Sequence, residues 1–211
     1  MDIIGILVLV ISFFFLLVVG VPVAYSIGVA GILTMLVNID SLPALTTYAM
    51  RMASGLDSFA LLAIPFFILA GNIMNSGGIA LRLIDFAKVL VGRLPGGLAV
   101  VNVVANMLFG AISGSAAAAA SAIGSIMTPE MKKAGYDPNF SAAVNISSAT
   151  TGMTIPPSNV LIVYSLASGG VSVSALFMAG YLPGILTGVA IMIVAAKFAA
   201  RKGYPVGVRV P

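Results

Sequence analysis

The residues best suited to chemistry lie in one run, Ser147-Ser148-Ala149-Thr150-Thr151-Gly152-Met153-Thr154-Ile155-Pro156-Pro157-Ser158-Asn159. Six of its side chains carry hydroxyls and one an amide, yet it sits inside a stretch, Pro138–Ala196, without Asp, Glu, Lys or Arg. Tandem prolines remove two backbone N–H donors. Each would have bonded the carbonyl four residues back, so Pro156 frees that of Gly152 and Pro157 that of Met153. Gly152 adds backbone freedom. The run reads as a discontinuous helix whose free carbonyls are surrounded by hydroxyls, an oxygen-rich site without fixed charge. That donor set suits a hard, weakly held monovalent cation such as Na⁺. The competing reading is a proline kink satisfied by Ser and Thr.

A second irregular place lies in Leu94–Pro129, 36 uncharged residues interrupted by Gly110-Ala111-Ile112-Ser113-Gly114-Ser115. Ser113-Gly114-Ser115 offers hydroxyls and flexible backbone where two helix ends meet. One end exposes unpaired carbonyls and the other unpaired N–H groups; cations favour the first and anions the second. Close helix packing by small residues is the alternative, and it is the reading adopted for Ala116–Ala120. Two such defects in one short chain point towards function rather than packing. Other chemistry is hard to build. A serine nucleophile needs a base, but the chain has no His and its apolar runs hold no Lys. Without Cys or His, and without acids in those runs, a zinc or di-iron site lacks ligands. Asn72 and Asn75 are assigned no role.

The elements that position these residues belong in a bilayer. Hydrophobic residues make up 60% of the 211 positions and charged residues 8%, and the mean hydropathy is +1.16. A soluble domain carries roughly a quarter charged residues. Ile3–Ile39, Ser58–Leu81, Leu94–Pro129 and Pro138–Ala196 are all free of charge, and about 20 such residues cross the hydrocarbon layer as helix. The net charge of +4 does not indicate nucleic acid, because the basic residues sit in short segments between apolar runs, as they do in oriented membrane proteins.

Ile3–Val19 and Val23–Val37 read as spans separated by Gly20-Val21-Pro22, and Ser58–Leu81 as a third, kinked at Pro65. Ser41–Asp57 is an interfacial helix or loop. In Leu81–Gly92, Arg82, Asp85 and Lys88 share a helical face with Arg93 while Leu83, Phe86, Leu90 and Val91 are apolar. This suits a surface helix, the alternative being a charged loop. The arms Leu94–Phe109 and Ala116–Thr128 would reach only ~24 and ~20 Å. They form either one long tilted span or a re-entrant hairpin. Arg82, Lys88 and Arg93 precede them and Lys132 and Lys133 follow; a hairpin keeps both groups on the cytoplasmic face. Phe140–Ala167 and Val171–Ala196 then return Lys197, Arg201 and Lys202 to that face. The expected fold is an all-α membrane protein of five transmembrane helices plus one re-entrant hairpin, with Met1 outside. An odd number of crossings would turn a following copy upside down, as in inverted-repeat transporters; no repeat is visible within the chain.

At the hairpin and the broken helix the wording resembles a known family. Phe109-Gly110-Ala111-Ile112-Ser113-Gly114-Ser115, Ile123-Gly124-Ser125-Ile126-Met127, Lys132-Lys133-Ala134-Gly135-Tyr136-Asp137, Ile64-Pro65-Phe66-Phe67-Ile68-Leu69-Ala70-Gly71 and Thr154-Ile155-Pro156-Pro157-Ser158 are similar to the large membrane subunit of TRAP (tripartite ATP-independent periplasmic) transporters. The resemblance runs from the first span to the last residue. It implies sodium-driven import of organic acids, such as C4-dicarboxylates, sialic acid or other sugar acids, across the bacterial inner membrane. It implies a periplasmic binding protein and a small membrane subunit as partners, Na⁺ as coupling ion and no organic cofactor. The implied fold is an elevator of two inverted repeats, with 1–93 as scaffold, an arm helix at 81–92 and 94–196 as the transport region. Sodium would sit between Ser113 and the backbone of Gly152, Ile155 and Pro157, with Gly114, Ser115, Thr154, Ser158 and Asn159 near ion or substrate.

The departures concern length and one plain stretch. The large subunit is usually about twice this size, so the chain is expected to be the first half, with 197–211 leading to a second repeat that supplies further site residues. Alone, this half is not expected to transport. The Ala116–Ala120 run is plainer than in many members, which weakens substrate contacts there. The reading from another class is a non-transporting structural or assembly subunit; a channel lacks a repeated pore-lining motif.

Overall fold

A computed structural model describes residues 3–57 and 59–205. They form α1 (Ile3–Val18), α2 (Val23–Asn38), α3 (Ser41–Leu56), α4 (Phe59–Ser76), α5 (Ile79–Val91), α6 (Gly97–Ser113), α7 (Ala116–Lys133), α8 (Pro138–Ala149), α9 (Thr151–Thr154), α10 (Asn159–Ala167) and α11 (Val173–Arg201). No strand occurs among the described residues. Met1 and residues 206–211 of the expected linker lie outside them.

The distribution of side chains is that of a membrane protein. Large apolar groups face outwards: Phe15 is 65% exposed, Phe66 68% and Met178 73%. The buried set is instead rich in Ala, Ser and Asn. Lipid gives no reason to hide Leu or Phe, whereas small residues let helices approach closely and polar groups must find partners inside. Among the described helices, α11 has the length and composition to cross a membrane unbroken; α1, α2 and α6 are apolar but have 16, 16 and 17 residues. α3 turns the weakly polar Ser41–Asp57 interval into a regular helix.

The chain divides into two compact units, Met1–Ser58 and Phe59–Pro211. α5 packs within the second. Ala80, Ile84 and Ala87 enter the same apolar core as Val101 and Phe109 of α6, Ile123 and Met127 of α7, and Ala195 and Ala199 of α11. The inward face of α5 is therefore made of those three residues, with Leu83 and Val91 packed beside them, while Phe86 and Leu90 are 52% and 58% exposed. A helix at a bilayer has two apolar faces, one towards protein and one towards lipid, and the sequence does not say which is which.

Glu130 shows why α7 runs beyond the expected stop at Pro129. Lys88 Nζ of α5 lies 2.9 Å from Glu130 Oε2 and 3.7 Å from Asp85 Oδ1. The Glu130 side chain is 38% exposed and that of Lys88 20%, so water and salt screen the pair. Glu130→Gln is expected to cost no more than about 1 kcal/mol, lowering the thermal unfolding midpoint by about 2–4 °C, and by less in high salt. A larger, salt-independent loss would show that the pair anchors α5.

The far end of the second unit closes on aromatics. Tyr204 stacks on Tyr136 with ring centroids 4.3 Å apart, its hydroxyl accepts the Asp137 N–H at 3.1 Å, and the Tyr136 hydroxyl donates to the Pro205 carbonyl at 3.3 Å. Burial pushes the Tyr136 hydroxyl above its usual range, keeping it a neutral donor. The residues following α11 are thereby tied to the α7–α8 turn.

Candidate functional site

α6 ends because Gly114 takes up φ +62° and donates its N–H to the Gly110 carbonyl at 2.8 Å, a left-handed cap that glycine adopts without steric cost. Ser115 is extended and begins α7, its hydroxyl accepting the Ala118 N–H at 3.3 Å. The chain then doubles back, since Asn102 Nδ2 of α6 donates to Met131 Sδ of α7 at 3.6 Å. A straight helix would hold those residues about 43 Å apart, so the uninterrupted long-span alternative does not describe this segment.

The other half of the site begins at Asp137, whose carboxylate accepts the Phe140 N–H at 2.9 Å beside Pro138 at the first position of α8. α8 and α9 meet at Thr150, and after Thr154 the backbone becomes extended, with Ile155 at φ −76°, ψ 123° and Ser158 at φ −126°, ψ 127°. Ser158 then caps α10 by accepting the Leu161 N–H at 3.4 Å. The helix is thus broken across Pro156 and Pro157.

One expected detail changes. The Ser158 hydroxyl donates to the Met153 carbonyl at 2.5 Å, so of the two carbonyls released by the prolines only that of Gly152 keeps its freedom. The neighbouring hydroxyls behave similarly: Thr150 donates to Ser147, Thr151 to Ser148, and Ser148 to Val144 carbonyls at 2.6–2.7 Å. Their protons are committed to backbone, which leaves oxygen lone pairs rather than donors on offer.

Hairpin and broken helix meet in register. A Cβ on Gly114 would lie 2.9 Å from the Pro157 carbonyl oxygen, 3.3 Å from the Asn159 nitrogen and 3.5 Å from Ser158 Cα. One turn earlier α6 crosses α9 backbone to backbone, where a Cβ on Gly152 would stand 2.6 Å from Gly110 Cα. One turn earlier again, Asn106 Nδ2 donates to Ser148 Oγ at 2.9 Å. The pairs 106–148 and 110–152 share one offset, 42 residues, so α6 runs parallel to α8–α9 and the tip reaches the break. From the other side α11 closes in with Gly180, Gly184 and Gly188: a Cβ on Gly180 would lie 2.7 Å from the Thr154 carbonyl oxygen and one on Gly184 2.6 Å from Ile155 Cγ1.

The structure therefore brings Gly114, and with it the tip Ser113–Ser115, to Pro157, Ser158 and Asn159, and seats Gly152 one turn away. Thr154 and Ile155 meet α11 at Gly180 and Gly184. Ser113 is 4% exposed, Ile155 7% and Ser158 0%. Asn159 Oδ1 is buried with no hydrogen-bond partner among the described residues. On another face of the tip opens a cavity of about 230 Å³ whose polar lining is Asn72, Ser113, Ser115 and Ser121, with Phe67 and Phe109. Ala118 also borders it while Ala119 is fully buried, so the alanine run is divided between packing and cavity wall.

Sequence reasoning passed over Asn102, Asn106 and Asn145. Asn102 and Asn106 are 0% exposed and Asn145 7%. Asn106 Nδ2 lies 2.6 Å from Asn102 Oδ1 and 3.0 Å from Asn145 Oδ1, and Asn145 Nδ2 donates to the Ala120 carbonyl at 2.9 Å. The signal was two amides four residues apart, hence on one helical face, in an otherwise apolar run.

The same pairing of hairpin and interrupted helix is carried by a sequence that known proteins share. Residues 10–210 match the family model for the DctM component of the tripartite ATP-independent periplasmic transporter. The chain belongs to the DctM family. Among curated relatives of this DctM-family chain, the uncharacterised protein YgiK of Salmonella typhimurium is 59% identical over 94% of the chain and 46% of its own length. The C4-dicarboxylate TRAP transporter large permease protein DctM of Vibrio cholerae is 44% identical over 88% of the chain and 40% of its own length. The sialic acid TRAP transporter large permease protein SiaM of Vibrio cholerae is 40% identical over 90% and 44%. The DctM-family chain thus spans about half the length of the curated relatives it matches. The two Vibrio cholerae relatives are named permeases, not enzymes.

Proposed function

We propose that this membrane chain forms one inverted repeat of an elevator-type permease that imports an organic acid, a C4-dicarboxylate, sialic acid or another sugar acid, across the bacterial inner membrane using the sodium gradient. The observation that carries this reading is the seating of Gly114 on the Pro157–Asn159 backbone, beside a buried Asn159 Oδ1 without a partner. An orphaned buried acceptor costs about 1–3 kcal/mol, and a monovalent cation there would remove that cost. The available groups are backbone carbonyls, hydroxyl lone pairs and an amide oxygen, hard and uncharged, which fits Na⁺. Ser113 and the backbone of Gly152, Ile155 and Pro157 would hold the ion. Ser115, Thr154, Ser158 and Asn159 would lie close to it, and the cavity lined by Asn72, Ser115 and Ser121 would receive a carboxylate.

The arm and transport roles follow: α5 cradles the hairpin, and α6–α11 form the region that moves. The family's organisation supplies the partners, namely a small membrane subunit, a periplasmic binding protein and a C-terminal half of the large permease. A purely structural subunit is not favoured, because packing alone gives no reason for two helix interruptions that meet.

The test is uptake into proteoliposomes holding this chain with its C-terminal half and the small subunit, supplied with a loaded binding protein. An inward sodium gradient should drive accumulation of the acid. Accumulation of the same size without sodium would sink the sodium coupling.

A further inference from the structure

We propose that Asn106, acting through Asn145 and Ser148, is the positioning residue that sets the register of the hairpin against the broken helix, and so the affinity of the ion cradle; this rests on the sodium reading above. The seam beyond Asn106 is smooth. Gly110 faces Gly152, and Gly114 faces Pro157 and Ser158, so at these closest approaches backbone meets backbone and no side chain stands between. Non-directional contact between glycines permits close approach without choosing a register. A buried amide does choose, because a slip of one turn strands its polar atoms, as a lone asparagine does in a helical seam.

Asn106 is built for this. Its nitrogen has two hydrogens and four oxygens within reach: Asn102 Oδ1 at 2.6 Å, Ser148 Oγ at 2.9 Å, Asn145 Oδ1 at 3.0 Å and the Asn102 carbonyl at 3.1 Å. Its own Oδ1 has no partner among the described residues, so the amide is held from the nitrogen side, where Asn145 and Ser148 of α8 lie. Asn145 is fixed in turn from α7, where Gly124 leaves its amide room and the Ala120 carbonyl accepts its N–H. Three helices are thus linked through one cluster of amides two turns before the tip.

The test is Asn106→Leu in the assembled permease, read by sodium titration of uptake and by amide hydrogen exchange. The sodium concentration for half-maximal uptake should rise at least about fivefold while the maximal rate changes less than about twofold, a split that mere loss of folded protein would not produce. Exchange at Met153 and Ile155 should quicken while α1 and α2 are unchanged. Asn145→Leu should shift both readouts similarly, and the double variant should do no more than either single one. If Asn106→Leu does not accumulate, Asn106→Ser, too short to reach Asn145, serves instead. Unchanged exchange across 150–158 in folded variant protein would overturn the proposal. Wild-type uptake indifferent to sodium would instead overturn the ion reading, with the exchange measurement still deciding the register.

Discussion

Gly110→Ala is expected to separate the hairpin from the broken helix and to destabilise the second unit by about 3 kcal/mol, the upper end of ordinary overpacking. The new methyl group would fall on Gly152 Cα and N, which are backbone and have no rotamer to yield. The two segments must part, and the tip one turn further on loses its seat on Pro157. In purified protein the melting midpoint should fall by about 6–12 °C, and sodium-dependent uptake should be lost. Gly152→Ala should behave alike, since its methyl would stand 2.6 Å from Gly110 Cα. Gly55→Ala is the control: its methyl would meet nothing within 4 Å and should leave both stability and uptake close to wild type. If Gly110→Ala melts and transports like Gly55→Ala, the backbone crossing is not what holds the site together.

Replacing Pro156 and Pro157 together by alanine is expected to weaken sodium dependence roughly tenfold, the equivalent of about 1.4 kcal/mol for one lost oxygen ligand. Alanine restores two N–H donors and is the best helix former, so the ladder between α9 and α10 can close. The Gly152 carbonyl would then be spent on residue 156. The Met153 carbonyl, which now accepts from the Ser158 hydroxyl, would release that hydroxyl and with it the cap of α10. Titrating uptake against sodium decides the matter, and a half-saturating concentration within twofold of wild type would count against a cation at this break.

What could be read from the chain follows from covalent chemistry. Two missing N–H groups announce a broken helix wherever Pro156-Pro157 is placed, and Gly114 between two serines announces a turn. Those features are local, and both are present. What escaped reading depends on partners distant in the chain. α7 continues through Pro129 because Glu130 meets Lys88 and Met131 meets Asn102, whereas local rules advise stopping. The packing of α5 rests on Ala80, Ile84 and Ala87 finding the common core, and alanines carry little hydropathy signal. Asn145 was passed over because its partners, Asn106 and the gap at Gly124, lie far from it in the chain. Glycines were legible as flexibility, yet Gly110, Gly152, Gly180 and Gly184 serve to let backbones touch.

The reversal at Gly114 lays the C-terminal end of α6 beside the N-terminal end of α7 within two residues, so opposite partial charges of the two helices, each about half an elementary charge, share one small volume. A positive and a negative solute settling there together would cancel each other's field, while either alone would leave its companion pole unanswered. Thermodynamic reciprocity then requires each solute to tighten the other by the same factor. Strict co-occupancy, on which energetically tight symport depends, would need no moving lever between two remote sites, only this turn.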